Sequence, residues 1–232
     1  MKVPFFTLSF PALSFYTSAM RQARLSLSGA YPWRRQFICL APLALVLSAV
    51  ILSTGTGDAV TRFFLLQREA HPALTVFVAF TTDAAGYMLY GVYVLLFCFG
   101  LARKDWRMVR LVLLFALVHF CVTVLVVQGL KYVIGRPRPL PAFTGAELSP
   151  MMGGSDFRSL PSGHSADITG AASRLATWFN RPHLALCMGL VIALVGFSRI
   201  YLSMHHVSDV AAGAALGVSA SFLVHYLSRE TP

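Results

Sequence analysis

The chain has 232 residues, of which 56% are hydrophobic and only 12% charged, with a mean hydropathy of +0.67. Soluble domains carry about a quarter of their residues as charges, so this balance excludes an ordinary soluble enzyme and predicts an all-α polytopic membrane protein. The formal net charge of +10 does not mark a nucleic-acid binder, because the basic residues stand beside apolar segments, where they set orientation and meet anionic lipid.

The length suits about six spans joined by short loops, since each helix needs roughly 20 apolar residues to cross the hydrocarbon. No separate soluble domain fits. Cys39, Cys98, Cys121 and Cys187 each fall in an apolar run without paired spacing, which predicts small core residues and neither a disulfide nor a metal site.

Residues 1–36 contain Lys2, Arg21, Arg24, Arg34 and Arg35 and no acid, together with Phe5, Phe6, Phe10 and Phe15. Pro11 and scattered serines interrupt the apolar stretch, so an uncleaved cytoplasmic or interfacial tail is expected in place of a cleaved signal. A six-helix transmembrane domain over residues 37–228 follows, and residues 229–232 form a cytoplasmic tail. The first span runs from about Phe37 to Gly55, leaving the cytoplasm because arginines precede it. From Asp58 to Pro72, Arg62, Arg68 and Glu69 are mixed with Phe63, Phe64, Leu65 and Leu66, the pattern of an amphipathic helix lying on the outer surface.

The second span, Ala84 to Ala102, ends in Arg103, Lys104, Arg107 and Arg110, which mark an inside loop. The third, Leu111 to Leu130, holds His119 near its middle, expected as a buried hydrogen-bonded residue. Gly135-Arg136-Pro137-Arg138-Pro139-Leu140-Pro141 cannot continue a helix. The polar loop it opens, with Gly145, Pro150, Gly153 and Gly154, reaches Leu160 and has the length that tends to carry function.

The fourth span, Ser165 to Phe179, is less apolar and includes Asp167 and Arg174. The fifth covers Leu184 to Arg199 and the sixth Asp209 to Leu227, where Gly213 and Gly217 are spaced to let a neighbouring helix approach closely. In this layout most basic residues lie on the inner side. Trp33, Trp106 and Trp178 fall at the inner boundary, where amphipathic rings prefer to sit.

The same layout carries Lys131, Arg138, Ser162, His164, Arg199 and His205 to the outer face. His205 and Asp209 stand four apart, so on a helix they share a face and the carboxylate can hold one imidazole nitrogen while the other meets a substrate. Lys131, Arg138 and Arg199 converge to hold a phosphate dianion and to neutralise charge during phosphoryl transfer, and the Ser162 to His164 amides at a helix start add donors. His205 can then attack phosphorus, and His164 can protonate the departing oxygen and later activate water. With no acidic cluster to bind magnesium, the cations must do that work and the reaction should run in chelator.

Lys131, six residues, Arg138-Pro139; Pro161-Ser162-Gly163-His164; and Ser198-Arg199, five residues, His205, three residues, Asp209 together resemble the three-part signature of the type 2 phosphatidic acid phosphatase superfamily. The resemblance implies phosphate binding by Lys131, Arg138, Ser162, Gly163 and Arg199, acid/base work by His164, and a covalent role for His205 with Asp209 as its partner, without a cofactor. It implies a lipid phosphatase of the bacterial inner membrane, its site facing the periplasm, acting on polyprenyl pyrophosphate, phosphatidylglycerophosphate, phosphatidic acid or a lipid A phosphate. The family often has an aromatic residue where Leu160 stands, which bears on pocket shape.

Arg136-Pro137 offers a second Arg-Pro pair that could share the phosphate role, with an outer-leaflet contact the favoured expectation. His206 is expected to be structural. Asp167, one turn past His164, could tune it, with pairing to a neighbouring arginine the favoured expectation. The competing readings are a lipid-to-lipid phosphotransferase using the same phosphoenzyme, and a lipid transporter or binding protein. Against the transporter, the motif charges gather at one surface instead of the midplane. Haloperoxidases with a similar signature are soluble, which these spans are not.

Overall fold

The computed structural model describes residues 29–144 and 154–229. Among them there is no strand, and the helices follow in the order α1 Trp33–Thr54, α2 Asp58–Ala70, α3 Pro72–Ala102, α4 Trp106–Phe120, a π-helical stretch Cys121–Val126, α5 Val127–Ile134, a short α6 Pro139–Thr144, a 3-10 turn Ser155–Phe157, α7 Gly163–Phe179, α8 Pro182–Tyr201 and α9 Val207–Leu227. Most of the amino-terminal tail, the loop residues Gly145, Pro150 and Gly153, and the last three residues lie outside the described residues.

Five stretches of the described residues are long and apolar enough to cross a bilayer: α1, α3, the run from α4 through α6, α8 and α9. The chain is therefore a multi-pass membrane protein, with Leu52, Val94, Leu117 and Leu186 projecting outward as a lipid-facing side chain must. The remaining expected span is α7. It has 17 residues, fewer than the roughly 20 that hydrocarbon demands, and it is buried along most of its length.

α7 is the axis of the bundle. α8 and α9 pack along it, and α1 packs along α8 and also touches α7, where Gln36 Nε2 donates to Ser173 Oγ. Small residues make this possible, as the spacing of Gly213 and Gly217 leads one to expect. A Cβ on Gly217 would stand 2.5 Å from the Ala166 carbonyl oxygen and 2.6 Å from the Gly170 nitrogen, and one on Gly213 would collide with the Ser162 carbonyl. Backbone meets backbone here.

α3 begins well before the expected Ala84. Pro72 supplies a pre-set first turn, the apolar sequence from Leu74 continues it, and the helix runs for 31 residues. At 1.5 Å per residue that is about 46 Å, against a hydrocarbon thickness of about 30 Å. α1 likewise starts at Trp33, ahead of the expected Phe37. The amphipathic segment is the helix α2, with Val60, Thr61 and Phe64 buried. Phe64 meets Phe197 and Tyr201 edge-on, while Arg68 donates to the Tyr201 carbonyl and, over 2.7 Å, to Ser203 Oγ.

Inside the bundle His119 is buried and bonded, as expected: its Nε2 lies 2.7 Å from Asp167 Oδ1 and 3.1 Å from Tyr90 Oη. Tyr90 also donates to Asp167. The expected arginine partner of Asp167 is thus replaced by an imidazole and a phenol, and Arg174 lies instead over the Trp178 ring, 5.9 Å from its centroid. Trp178 is itself 2% exposed, a core residue and not a boundary one, because α7 that carries it is enclosed. Of the cysteines only Cys39 is buried; Cys98 and Cys187 are exposed on outward faces.

The α7–α9 contact yields a stability prediction. Gly217→Val must push two backbones apart and should cost about 3 kcal/mol, the upper part of the overpacking range, whereas Gly91→Ala, with nothing within 4 Å of its added Cβ, should be neutral or mildly stabilising. Thermal unfolding in detergent compares the two.

Candidate active site

Three local features set the positions of the motif residues. Gly135 ends α5 in the left-handed region at φ 57°, a conformation glycine adopts without penalty. The chain after it then lies beside residues 156–159: Arg138 N–H donates to the Asp156 carbonyl over 2.7 Å, and Ser159 N–H to the Arg136 carbonyl over 3.1 Å. α8 ends in a tight turn in which the Met204 and His205 N–H groups both donate to the Arg199 carbonyl, at 3.0 and 3.2 Å.

Ser162 caps α7, its Oγ accepting from Ser165 N–H at 3.4 Å and from Ser165 Oγ at 2.9 Å. Its own N–H is spent on the Asp209 carbonyl, 2.9 Å away. Of the three amides expected to face an anion, this one is therefore engaged. Those of Gly163 and His164 remain, at a helix start where no intrahelical carbonyl can take them. Lys131, in the last turn of α5, brings its Nζ to 3.5 Å from the position a Cβ on Gly163 would occupy. Glycine there keeps the ammonium close to the helix start.

Asp209 is fully buried, and its carboxylate is held by groups other than the expected His205. Arg136 Nη1 reaches its Oδ1 at 2.7 Å, and Ser159 Oγ and His206 N–H donate to its Oδ2 at 2.5 and 2.9 Å. His205 Nδ1 stands 3.9 Å from that Oδ2, beyond hydrogen-bond reach. The reason is that His205 precedes α9, which starts at Val207, so helical i to i+4 geometry does not apply. Arg136, expected at the outer leaflet, is the counter-ion of Asp209 and also donates to Ser208 Oγ over 2.7 Å. His206 is structural as expected, its Nε2 donating to the Pro137 carbonyl over 3.3 Å.

What holds His205 is the Ser159 carbonyl, which accepts from Nδ1 over 2.7 Å. A carbonyl only accepts, so the proton sits on Nδ1 and Nε2 keeps its lone pair. Burial first, then the Arg199 and Lys131 cations, with Arg138 adding to them, push the His205 pKa down to about 2 against the pull of the Ser159 bond. The imidazole is neutral at physiological pH. Arg199 and Lys131 also act electrostatically on His164, so the two histidines share one cationic environment. The buried Nε atoms of Arg138 and Arg199 have no hydrogen-bond partner among the described residues, donors of the kind an anion would satisfy.

His164 is more open, its side chain 47% exposed, with Nε2 lying 3.8 Å from Asp83 Oδ1 on α3. A cavity of about 500 Å³ reaches His205 from another side, between α1, α2 and α9; Leu47, Ile51, Val60, Ile200 and Val207 give it apolar walls, and Arg136 stands at it. Sequence reasoning missed Asp83, Ser159 and the role of Arg136. Asp83 had a signal, a carboxylate within an apolar helix. Ser159 had none, since it works partly through its backbone oxygen.

The model of the PAP2 superfamily matches residues 109–231 of the chain. A lipid A 1-phosphatase of Rhizobium johnstonii is 28% identical over 224 residues, covering 90% of this chain and 87% of that protein. Phosphatidylglycerophosphatase B of Bacillus subtilis is 33% identical over 132 residues, 53% of this chain, so that the match spans 58% of the Bacillus protein. No solved structure matches. The matched family region holds all three motifs and more than half of the residues, and the chain belongs to the PAP2 superfamily.

Proposed function

We propose that this protein is a metal-independent lipid phosphatase that passes the phosphoryl group through His205. The observation that carries this reading is the hydrogen bond between His205 Nδ1 and the Ser159 carbonyl, which leaves Nε2 its lone pair among Lys131, Arg138 and Arg199. Phosphate oxygens bind these cations and the Gly163 and His164 amides, in a site partly shielded from water where fixed charges act strongly. The Nε2 lone pair attacks phosphorus, the bond to the lipid oxygen breaks, and His164 gives that oxygen a proton. Water then attacks the phosphohistidine, His164 takes its proton, the P–N bond breaks and orthophosphate leaves.

In this mechanism Asp209 acts at one remove. It fixes Ser159, and Ser159 fixes His205. Arg136 neutralises Asp209, so the other three cations remain for the substrate.

The substrate is a phosphorylated membrane lipid. Membership of the family and the names of the relatives support a lipid phosphomonoester or pyrophosphate, and the nearly end-to-end alignment with a lipid A 1-phosphatase favours a glycolipid phosphate among them. The apolar cavity beside His205 and the amphipathic α2 supply a lateral path for a lipid chain. We place the protein in the bacterial inner membrane as a six-span bundle, α7 being the sixth, with the site on the periplasmic face. The basic turn from Arg103 to Arg110 stands at the opposite end of α3 from its site-facing start, in keeping with cytoplasmic positive charge.

Phosphate release from a panel of lipid phosphates and pyrophosphates, in detergent, should proceed at the same rate with and without chelator and should vanish in His205→Ala. Phosphate found on a second lipid instead of in solution would make the protein a phosphotransferase, and undiminished turnover in His205→Ala would remove the nucleophile. Arg199→Lys should lose most activity, roughly 100-fold on the scale of one lost oxyanion donor, because the planar fork is gone; equal kcat/KM would overturn its assignment.

The depressed His205 pKa also has a stability consequence. Between about 2 and the unfolded value near 6.5 the unfolded chain binds a proton the folded one refuses, so this contribution is whole above about 6.5 and declines by up to about 1.4 kcal/mol per pH unit as pH falls. His205→Gln should flatten the fall of Tm between pH 6.5 and 4.

A further inference from the structure

We propose that Asp83 is a positioning residue for His164, its carboxylate standing at the Nε2 edge of the imidazole so that its charge acts on the ring and Nδ1 serves as the acid and base of the reaction. The inference rests on the phosphatase reading above. Asp83 lies on α3, on no motif, with Oδ1 3.8 Å from His164 Nε2.

Its place is fixed by its neighbours on both sides. Thr82 hydrogen-bonds Ser198, the residue before Arg199, and Gly86 lies opposite Ile168 of α7. The register of α3 against α7 and α8 is therefore set within one turn of Asp83 in either direction.

Four charged groups act on His164: Arg199 from α8, Asp83 from α3, Asp167 from α7 itself and Lys131 from α5. Burial first, and then the charges of Arg199 and Lys131, oppose its protonation. Of the two carboxylates that favour it, Asp167 is already committed to His119 and Tyr90. Asp83 is the one left to stabilise the imidazolium. Without it, the cations that bind phosphate would disarm the acid that must protonate the leaving oxygen.

In the first step the Nδ1 proton moves to the lipid oxygen as the P–O bond breaks, while Nε2 keeps its proton. In the second, water returns a proton to Nδ1. Asp83 neither gains nor loses a proton.

The test uses the full-length protein in detergent, with kcat/KM, which reports phosphoryl transfer from the free enzyme. A lipid phosphate has an alkoxide leaving group that needs the proton, whereas nitrophenyl phosphate has one that departs without it. Asp83→Asn should lose roughly tenfold or more on the lipid, within the range general acid catalysis spans, and much less on nitrophenyl phosphate. The alkaline limb of the lipid profile should move to lower pH, and Asp83→Glu should recover part of the rate. Adding Asp83→Asn to His164→Ala should cause no further loss. Equal losses on both substrates with an unmoved profile would mean a structural role and overturn the proposal, as would no loss on either. Should wild-type protein release phosphate from neither substrate while remaining folded, the phosphatase reading falls and Asp83 with it.

Discussion

The buried carboxylate of Asp209 is the point at which the site is tied together. It has no contact with water, and a carboxylate so placed is tolerable only when paired and fully hydrogen-bonded. Arg136 comes from the chain after α5, Ser159 from the segment before α7, and His206 from the turn before α9. Its main-chain oxygen takes the Ser162 amide, so the capping residue of α7 is fixed to the same spot. Removing the charge would leave Arg136 half-buried and unpaired and release three connections at once. The pairing also settles the charge balance: Arg136 and Asp209 cancel, and Lys131, Arg138 and Arg199 keep their field for an anion.

That arrangement needs α7 and α9 to approach more closely than side chains normally permit. Gly213 and Gly217 remove the obstacle, and the alanine, serine and glycine content of α7 lets the helix be surrounded. Packing of this kind gains from dispersion and backbone proximity instead of from exclusion of water, which is how helices associate in lipid. α2 closes the same end of the bundle from the side. Through Arg68 it ties down the Tyr201–Ser203 turn that leads directly to His205.

Much of this was legible in the residues. The helices, the stop at Gly135, the amphipathic α2, the buried His119 and the Gly213/Gly217 approach all follow from local chemistry or from period. What failed was the inference from spacing to contact. His205 and Asp209 are four apart, but the helix begins after the first of them, so the expected bond gives way to one with the Ser159 carbonyl. Trp178 and Asp167 were misread for a related reason. A period states which residues share a face, and says nothing of what stands across from it; an enclosed helix buries a tryptophan that an outer one would leave at the boundary. Asp83 shows the opposite case, in which an ionisable residue in an apolar helix was itself the signal.

The two histidines of the site occupy different environments although they share the same cations. His205 is 3% exposed, and burial with the surrounding cations outweighs the pull of the Ser159 carbonyl at its Nδ1. His164 is half-exposed and stands beside a carboxylate. Burial and the shared cations disfavour protonation of both rings, and the division between them is that at His164 the Asp83 carboxylate opposes this effect. Under the proposed mechanism the division follows the substrate, since phosphorus must meet a free lone pair on one side while the departing oxygen must meet a proton on the other. A protein using cations alone to bind phosphate faces the difficulty that the same charges suppress the acid. Under the proposal above, a carboxylate on a separate helix opposes that effect at His164, although its charge also reaches Arg199.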